Sequence, residues 1–164
     1  MPRNTRIAGL TIGAIALTTT AAVVAVRMLG EPSFSFAAAP LADDPACARI
    51  SEQYPDRLAG LDRADTSTKG AAVWGDGAVV ARCGFPRLNA TADACAEVDG
   101  VDWVWRTSKG GDGRELLVTY GREPSVEVQL VRGQAAADSV LVGLSSLVKP
   151  IKQTRECLSL SDVP

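Results

Sequence analysis

The chain has 164 residues and contains no histidine. Because serine-histidine-acid triads, HExxH zinc sites and histidine phosphorelays all require an imidazole, these classes of chemistry are excluded. Of the 17 basic side chains, three are arginines within residues 1–30, which hold no acid, so 14 basic and 19 acidic side chains remain. This acidic remainder is unsuited to nucleic acid, which requires a basic surface that displaces counterions from phosphates.

The first predicted element is an apolar segment, residues 7–26, which follows Arg3 and Arg6 and precedes Arg27. At about 1.5 Å per residue a helix of this length reaches about 30 Å, the thickness of the hydrocarbon core of a bilayer. Residues 1–30 are therefore either an anchor in the cytoplasmic membrane or a secretory signal that is removed. Arg3 and Arg6 favour a cytoplasmic N-terminus, so both alternatives place the rest of the chain outside, membrane-bound or secreted.

Residues 31–44 are rich in Pro, Ala and Ser without a sustained period, which predicts a tether. An extracytoplasmic domain is expected over residues 45–164. It begins with a predicted helix from Pro45 to about Leu58, capped by Asp43 or Asp44.

Five strands are expected after this helix, from alternating side chains and from turns rich in glycine: 71–74, 78–83, 101–106, 115–120 and 126–130. Residues 84–94 lack a period and are interpreted as a loop. The apolar stripe of a second helix runs from about Ala135 to Lys149. The sequence thus predicts an α+β domain, with an antiparallel sheet of about five strands and an N-terminal and a C-terminal helix packed on one face, preceded by one transmembrane or signal segment.

Four cysteines, Cys47, Cys83, Cys95 and Cys157, lie beyond the apolar segment. An even number in an oxidising compartment predicts two disulfides, for which three connectivities are open. We expect Cys83 to pair with Cys95 across the loop, and Cys47 to pair with Cys157 at the two ends of the domain. With no CxxC and no histidine, we expect no metal site and no cofactor.

Three tryptophans are candidates for a binding surface. Trp103 and Trp105 should share one face of a strand, with Trp74 on a nearby hairpin. One interpretation places them in the core. The other is a stacking platform for a sugar or an apolar ligand, with Arg82, Arg106 or Arg122 supplying charge-assisted hydrogen bonds.

The chain resembles the domain of unknown function 3515 family over about residues 43–150. The resemblance rests on an ordered series of short motifs: Pro45-Ala-Cys47, Ala72-Val-Trp74-Gly75, Val79-Val-Ala-Arg82-Cys83-Gly84, Gly100-Val-Asp-Trp103 and Thr119-Tyr-Gly-Arg122-Glu-Pro124. It implies a small envelope protein of actinobacteria, anchored to the membrane or secreted, and it implies no catalytic residues because the family has no established activity. It draws attention to Arg82, Asp102, Trp103 and Arg122, for which a buried Asp–Arg pair beside the strand tryptophans is the structural interpretation.

The function expected from these observations is non-catalytic: an extracytoplasmic module, held at the cytoplasmic membrane by residues 7–26, that binds an envelope component or a membrane protein. Its candidate binding residues are Trp74, Arg82, Asp102, Trp103 and Arg122. One alternative is a small envelope hydrolase or transferase that works through carboxylates such as Asp99 and Asp102. Another is a structural subunit of a membrane complex.

Overall fold

The computed structural model describes residues 34–107 and 113–158. The predicted membrane segment, residues 7–26, lies outside the described residues, as do the start of the predicted tether and the last six residues of the chain. Within the described ranges, no helix has both the length and the apolar character that crossing a membrane requires.

Eight strands form one antiparallel sheet in the order β1-β2-β3-β4-β8-β7-β6-β5. The prediction of an α+β domain with about five strands is therefore wrong, because the described chain is mostly β structure. The three strands that the sequence did not predict have only two to four residues, and no alternation marks them in the sequence. The strands are β1 (Arg57–Leu58), β2 (Leu61–Ala64), β3 (Ala71–Trp74), β4 (Val79–Phe85), β5 (Cys95–Val98), β6 (Val101–Thr107), β7 (Arg114–Thr119) and β8 (Ser125–Val131).

The sheet consists of two meanders of four strands that meet in its middle. β1 to β4 follow one another along the chain, as do β5 to β8, and the two halves join where β4 pairs with β8. Val126 lies opposite Cys83 and Val128 opposite Ala81, and all four are buried. The alternation in β8 thus directs its apolar side chains into the core, as the sequence predicts.

Helix α1 spans Pro45–Gln53, and Asp44 caps it by accepting a hydrogen bond from the amide of Ala46 at 2.7 Å. It ends before the predicted Leu58 because Pro55 disfavours helical geometry in the residue before it, and Tyr54 accordingly has an extended ψ of 127°. Helix α2 spans Ala137–Val148, within the predicted 135–149.

The sheet curves around α2. This helix contacts β1 and β5, which are the first and last strands in the sheet order, and it also contacts α1. A Cβ built on Gly143 of α2 would lie 2.5 Å from Cδ1 of Leu58 in β1, so the helix and this edge of the sheet approach closely. Val140, Leu141, Leu144 and Val148 form the buried stripe that the sequence predicts for α2.

Residues 34–44, the described part of the predicted tether, contact the sheet. The amide of Phe36 donates to Oγ1 of Thr68 at 3.0 Å, and the amide of Leu41 donates to the carbonyl oxygen of Gly84 at 2.7 Å. A Cβ on Gly84 would lie 2.4 Å from the amide nitrogen of Ala42. These contacts make the segment part of the folded domain.

The two disulfides join Cys47 to Cys83 and Cys95 to Cys157, so the expected pairing of these four residues is wrong. β8, β7 and β6 separate Cys83 in β4 from Cys95 in β5. Four strand spacings amount to about 19 Å along the sheet, whereas a disulfide requires Cα atoms within about 7 Å. Instead, α1 brings Cys47 against β4. Residues 149–158, which we call the C-terminal segment, return to β5.

Candidate functional site

Trp74 and Trp103 are both 0% exposed. The indole N–H of Trp74 donates to the carbonyl oxygen of Pro55 at 2.9 Å, and that of Trp103 donates to Oγ of Ser145 at 3.1 Å. A fully buried indole has no face for a ligand at the surface. The structure therefore favours the core interpretation of these two tryptophans over the stacking platform.

Arg122 is also buried, and its guanidinium holds the end of α2 and the segment after it. It donates to the carbonyl oxygens of Lys149 at 3.0 Å and Gly100 at 3.2 Å, and also to that of Ile151. Burial lowers the pKa of Arg122, and the negative charge of Asp102 partly opposes this effect.

The side-chain amide of Gln153 connects Arg122 to Asp102. Its Oε1 accepts from Nη2 of Arg122 at 2.7 Å, while its Nε2 donates to Oδ2 of Asp102 at 2.8 Å. Asp102, 6% exposed, accepts a second hydrogen bond from the amide of Cys157 at 2.7 Å. The buried Asp and Arg thus belong to one network that fastens the C-terminal segment to the start of β6. Sequence reasoning missed Gln153, because nothing in its local pattern shows which strand this segment reaches.

The C-terminal segment also lies against the turn between β7 and β8. The amide of Thr154 donates to the carbonyl oxygen of Gly121 at 2.8 Å. A Cβ on Gly121 would lie 2.0 Å from the carbonyl oxygen of Arg155, so only glycine permits this approach.

A cavity of about 470 Å³ lies between β5 and the C-terminal segment. We call it the edge cleft, since β5 is the last strand of the sheet. Its lining includes the carboxyl groups of Glu97, Asp102 and Glu156, the Cys95–Cys157 disulfide and the apolar side chain of Leu158. Leu158 is 81% exposed. Of the five candidate binding residues, Asp102 lines this cavity, and the others are absent from its lining.

Arg82 lies elsewhere, half-buried on the face of β4 that points away from α2. It forms an ion pair with Glu127, and its guanidinium carbon lies 4.8 Å from the ring centroid of Phe85 and 5.9 Å from that of Phe36. The candidate binding residues are therefore not brought together in one site. Two belong to the core, two to the network of the C-terminal segment, and Arg82 to the opposite face.

The proposed carboxylate pair is divided between two environments. Asp99 is exposed in the turn between β5 and β6, with a φ of 50°, whereas Asp102 is buried and hydrogen-bonded through Oδ2. This arrangement does not favour a pair of acids acting on one bond. Within residues 34–107 and 113–158, no group of three or more acidic or cysteine side chains is arranged to hold a metal ion.

Fold and site together define a small domain, mostly β structure, that two disulfides cross-link and whose buried polar residues stabilise its own C-terminal segment. The chain belongs to the family of proteins of unknown function called DUF3515, whose model matches residues 9–157. This match confirms the resemblance drawn from the sequence motifs. Neither the curated proteins nor the solved structures contain a significant match.

Proposed function

We propose that this protein is a non-catalytic module that binds an envelope component or a partner protein outside the cytoplasmic membrane. Two disulfides support the location, because disulfides persist in oxidising compartments outside the cytosol. The twenty uncharged residues of the segment 7–26 support attachment to the membrane or export through it.

The observation that carries the binding function is the edge cleft beside β5. As the last strand in the sheet order, β5 pairs among the described residues with one strand, β6. An extended partner segment can add to such an edge through main-chain hydrogen bonds. The cleft places Glu97, Glu156 and the exposed Leu158 beside this edge. These side chains suit a partner segment that carries basic and apolar residues.

We infer a non-catalytic role because the buried charged side chains form hydrogen bonds within the domain itself. Arg122 and Asp102, the charged groups with the deepest burial, bind the main chain and Gln153 of the same domain. Their hydrogen bonds hold the C-terminal segment in place, and this segment forms one wall of the cleft. In this proposal both residues position the binding surface, and Arg122, which is absent from the lining of the cleft, does not touch the ligand.

Site-specific photo-crosslinking in living cells tests the cleft. A photoreactive amino acid replaces Ala96 or Leu158 in the cleft, and matched control variants carry it at the exposed positions Val142 in α2 and Arg132 after β8. We expect a discrete adduct from the two cleft positions and none from the controls. Identical adducts at all four positions, or none at the cleft positions, would contradict binding at this edge.

The location has a separate test that does not depend on the cleft. An Asp99→Cys variant places a thiol in an exposed turn, and an Asn4→Cys variant places one ahead of the apolar segment. We expect a membrane-impermeant maleimide to label Asp99→Cys in intact cells. An uncleaved anchor predicts that Asn4→Cys reacts only after permeabilisation, and a cleaved signal predicts that the mature chain lacks this label. Labelling of Asp99→Cys that requires permeabilisation would disprove the location.

A further inference from the structure

The two disulfides lie in different surroundings. Cys47 and Cys83 are both 0% exposed and belong to the hydrophobic core. Cys95 and Cys157 are half-buried and line the edge cleft. The same pair also lines a second cavity, of about 300 Å³. In the folded protein the second disulfide is therefore more accessible to an attacking thiol than the first, which is enclosed in the core.

The two disulfides also hold different parts of the fold. Cys47–Cys83 joins α1 to β4, a strand in the middle of the sheet. Cys95–Cys157 joins the last strand to the final described residues of the chain. Opening the first would loosen the core, while opening the second would free one short segment.

We propose that Cys95–Cys157 is a site of thiol–disulfide exchange with a dithiol reductant, whereas Cys47–Cys83 is a permanent cross-link. Reduction releases residues 156–158 from β5 and opens the edge cleft. The inference goes beyond the binding function and does not depend on it, since it concerns the chemistry of this bond alone.

The exchange proceeds in two steps. A thiolate of the reductant attacks one sulfur of the pair, so that a mixed disulfide forms while the Cys95–Cys157 bond breaks, and the displaced thiolate takes a proton from water. The second thiolate of the reductant then attacks the reductant's first sulfur, which is bound to cysteine in the mixed disulfide. The disulfide of the reductant forms, the bond to the cysteine breaks, and the released cysteine thiolate is protonated in turn. Two electrons and two protons pass to the cysteine pair, and the reductant leaves as its disulfide.

The contacts around Cys157 define which residues reduction releases. Apart from the disulfide, the amide of Cys157 is held by Oδ2 of Asp102. Three residues before Cys157 are anchored independently. Gln153 forms a β-bridge with Arg122 and binds the guanidinium of that residue. The amide of Thr154 donates to the carbonyl oxygen of Gly121, and the carbonyl oxygen of Arg155 accepts from Nε2 of Gln153. We therefore expect the segment to open after Arg155, while the buried Arg122 keeps its acceptors.

Graded reduction of the native full-length chain tests the proposal. The chain is treated with dithiothreitol, free thiols are blocked with N-ethylmaleimide at intervals, and the modified cysteines are identified by peptide mass mapping. We expect Cys95 and Cys157 to react at least about tenfold faster than Cys47 and Cys83. The same treatment in denaturant is the control, in which both pairs should open at similar rates. Equal rates in the native chain, or earlier opening of Cys47–Cys83, would overturn the proposal.

Hydrogen exchange measures the structural consequence. In the reduced chain, and in a Cys95→Ser/Cys157→Ser variant, we expect faster exchange at the amide of Cys157, whereas the amide of Thr154 should stay protected by its bond to Gly121. Exchange in β3, β4 and β8 should stay unchanged. Unchanged exchange at the amide of Cys157 would contradict release of the segment, and faster exchange throughout the sheet would contradict a local opening.

Discussion

Trp103 donates its indole N–H to the hydroxyl oxygen of Ser145 at 3.1 Å, and both residues are 0% exposed. The bond joins β6 to α2 inside the curved sheet. A buried indole N–H without an acceptor would destabilise the fold, so this serine in an otherwise apolar stripe satisfies a polar group of the sheet.

Ser145→Ala removes the acceptor of the indole N–H and leaves this donor buried without a partner. We expect the free energy of unfolding to fall by about 1–3 kcal/mol. Ser146→Ala, at the exposed neighbouring position of α2, is the matched control and should change the free energy by less than about 0.5 kcal/mol. Urea unfolding followed by tryptophan fluorescence measures both variants. Equal effects would show that the hydrogen bond contributes nothing.

Gln153→Ala separates Arg122 from Asp102. It removes one acceptor from the guanidinium and one donor from the carboxylate, so we expect a loss of about 1.5–3 kcal/mol in the free energy of unfolding. Gln134→Ala, at an exposed position before α2, provides the comparison and should be nearly neutral. Thermal or urea unfolding would reveal the difference, and a neutral Gln153→Ala would contradict the bridging role.

Because Tyr54 is buried, we expect the stability of the fold to fall at alkaline pH. Burial raises its pKa above the ordinary value near 10, and the charge of Arg63 opposes this only in part. Because the unfolded chain ionises first, the contribution of Tyr54 to stability is complete below about pH 10 and is lost as the pH rises further, towards the folded-state pKa. Tyr54→Phe abolishes this loss.

Unfolding of wild type and Tyr54→Phe between pH 7 and pH 11 measures the effect. The hydroxyl of Tyr54 has no hydrogen-bond partner among the described residues, so we expect the variant to gain up to about 1 kcal/mol at neutral pH. Its advantage should grow above about pH 10. Tyr120→Phe is the control and should retain the alkaline loss. A difference between wild type and Tyr54→Phe that stays constant with pH would refute the assignment.

Gly121 and Gly113 form a matched pair, because both have a φ of +71° but different neighbours. A Cβ on Gly113 meets no heavy atom within 4 Å, whereas a Cβ on Gly121 would lie 2.0 Å from the carbonyl oxygen of Arg155. Gly113→Ala should cost about 1–2 kcal/mol through backbone strain alone. We expect Gly121→Ala to cost about 1–3 kcal/mol more, since the C-terminal segment must move. Equal losses in urea unfolding would mean that the close approach has no energetic weight.

Four of the five strands that the sequence predicted have six or seven residues, long enough for an alternating pattern, whereas the four-residue β3 was predicted with the glycine-rich turn that joins it to β4. β8 and β6 have seven residues each, and both lie where expected. β1, β2 and β5 have only two to four residues, so their strand geometry depends on pairing with a neighbour. The end of α1 depends on Pro55, whose restriction of Tyr54 outweighs the apolar spacing that suggested a longer helix.

The candidate site could be predicted only in its residue types. The family resemblance draws attention to Arg82, Asp102 and Arg122. It does not show that Gln153 joins two of them, or that Glu127 pairs with the third. These partners lie 31, 51 and 45 residues away along the chain, so no local pattern records them.

The sequence by itself determined the chemistry that the protein cannot use, because the absence of histidine needs no fold to have its effect. It also determined the even set of cysteines and the faces of the longer strands and of α2, since a local period fixes which side chains point inwards. Only the tertiary structure decided which cysteines meet. The pairing of β4 with β8 sends the chain to the far edge of the sheet before β5, and this long-range contact separates Cys83 from Cys95 and brings Cys157 to the cleft.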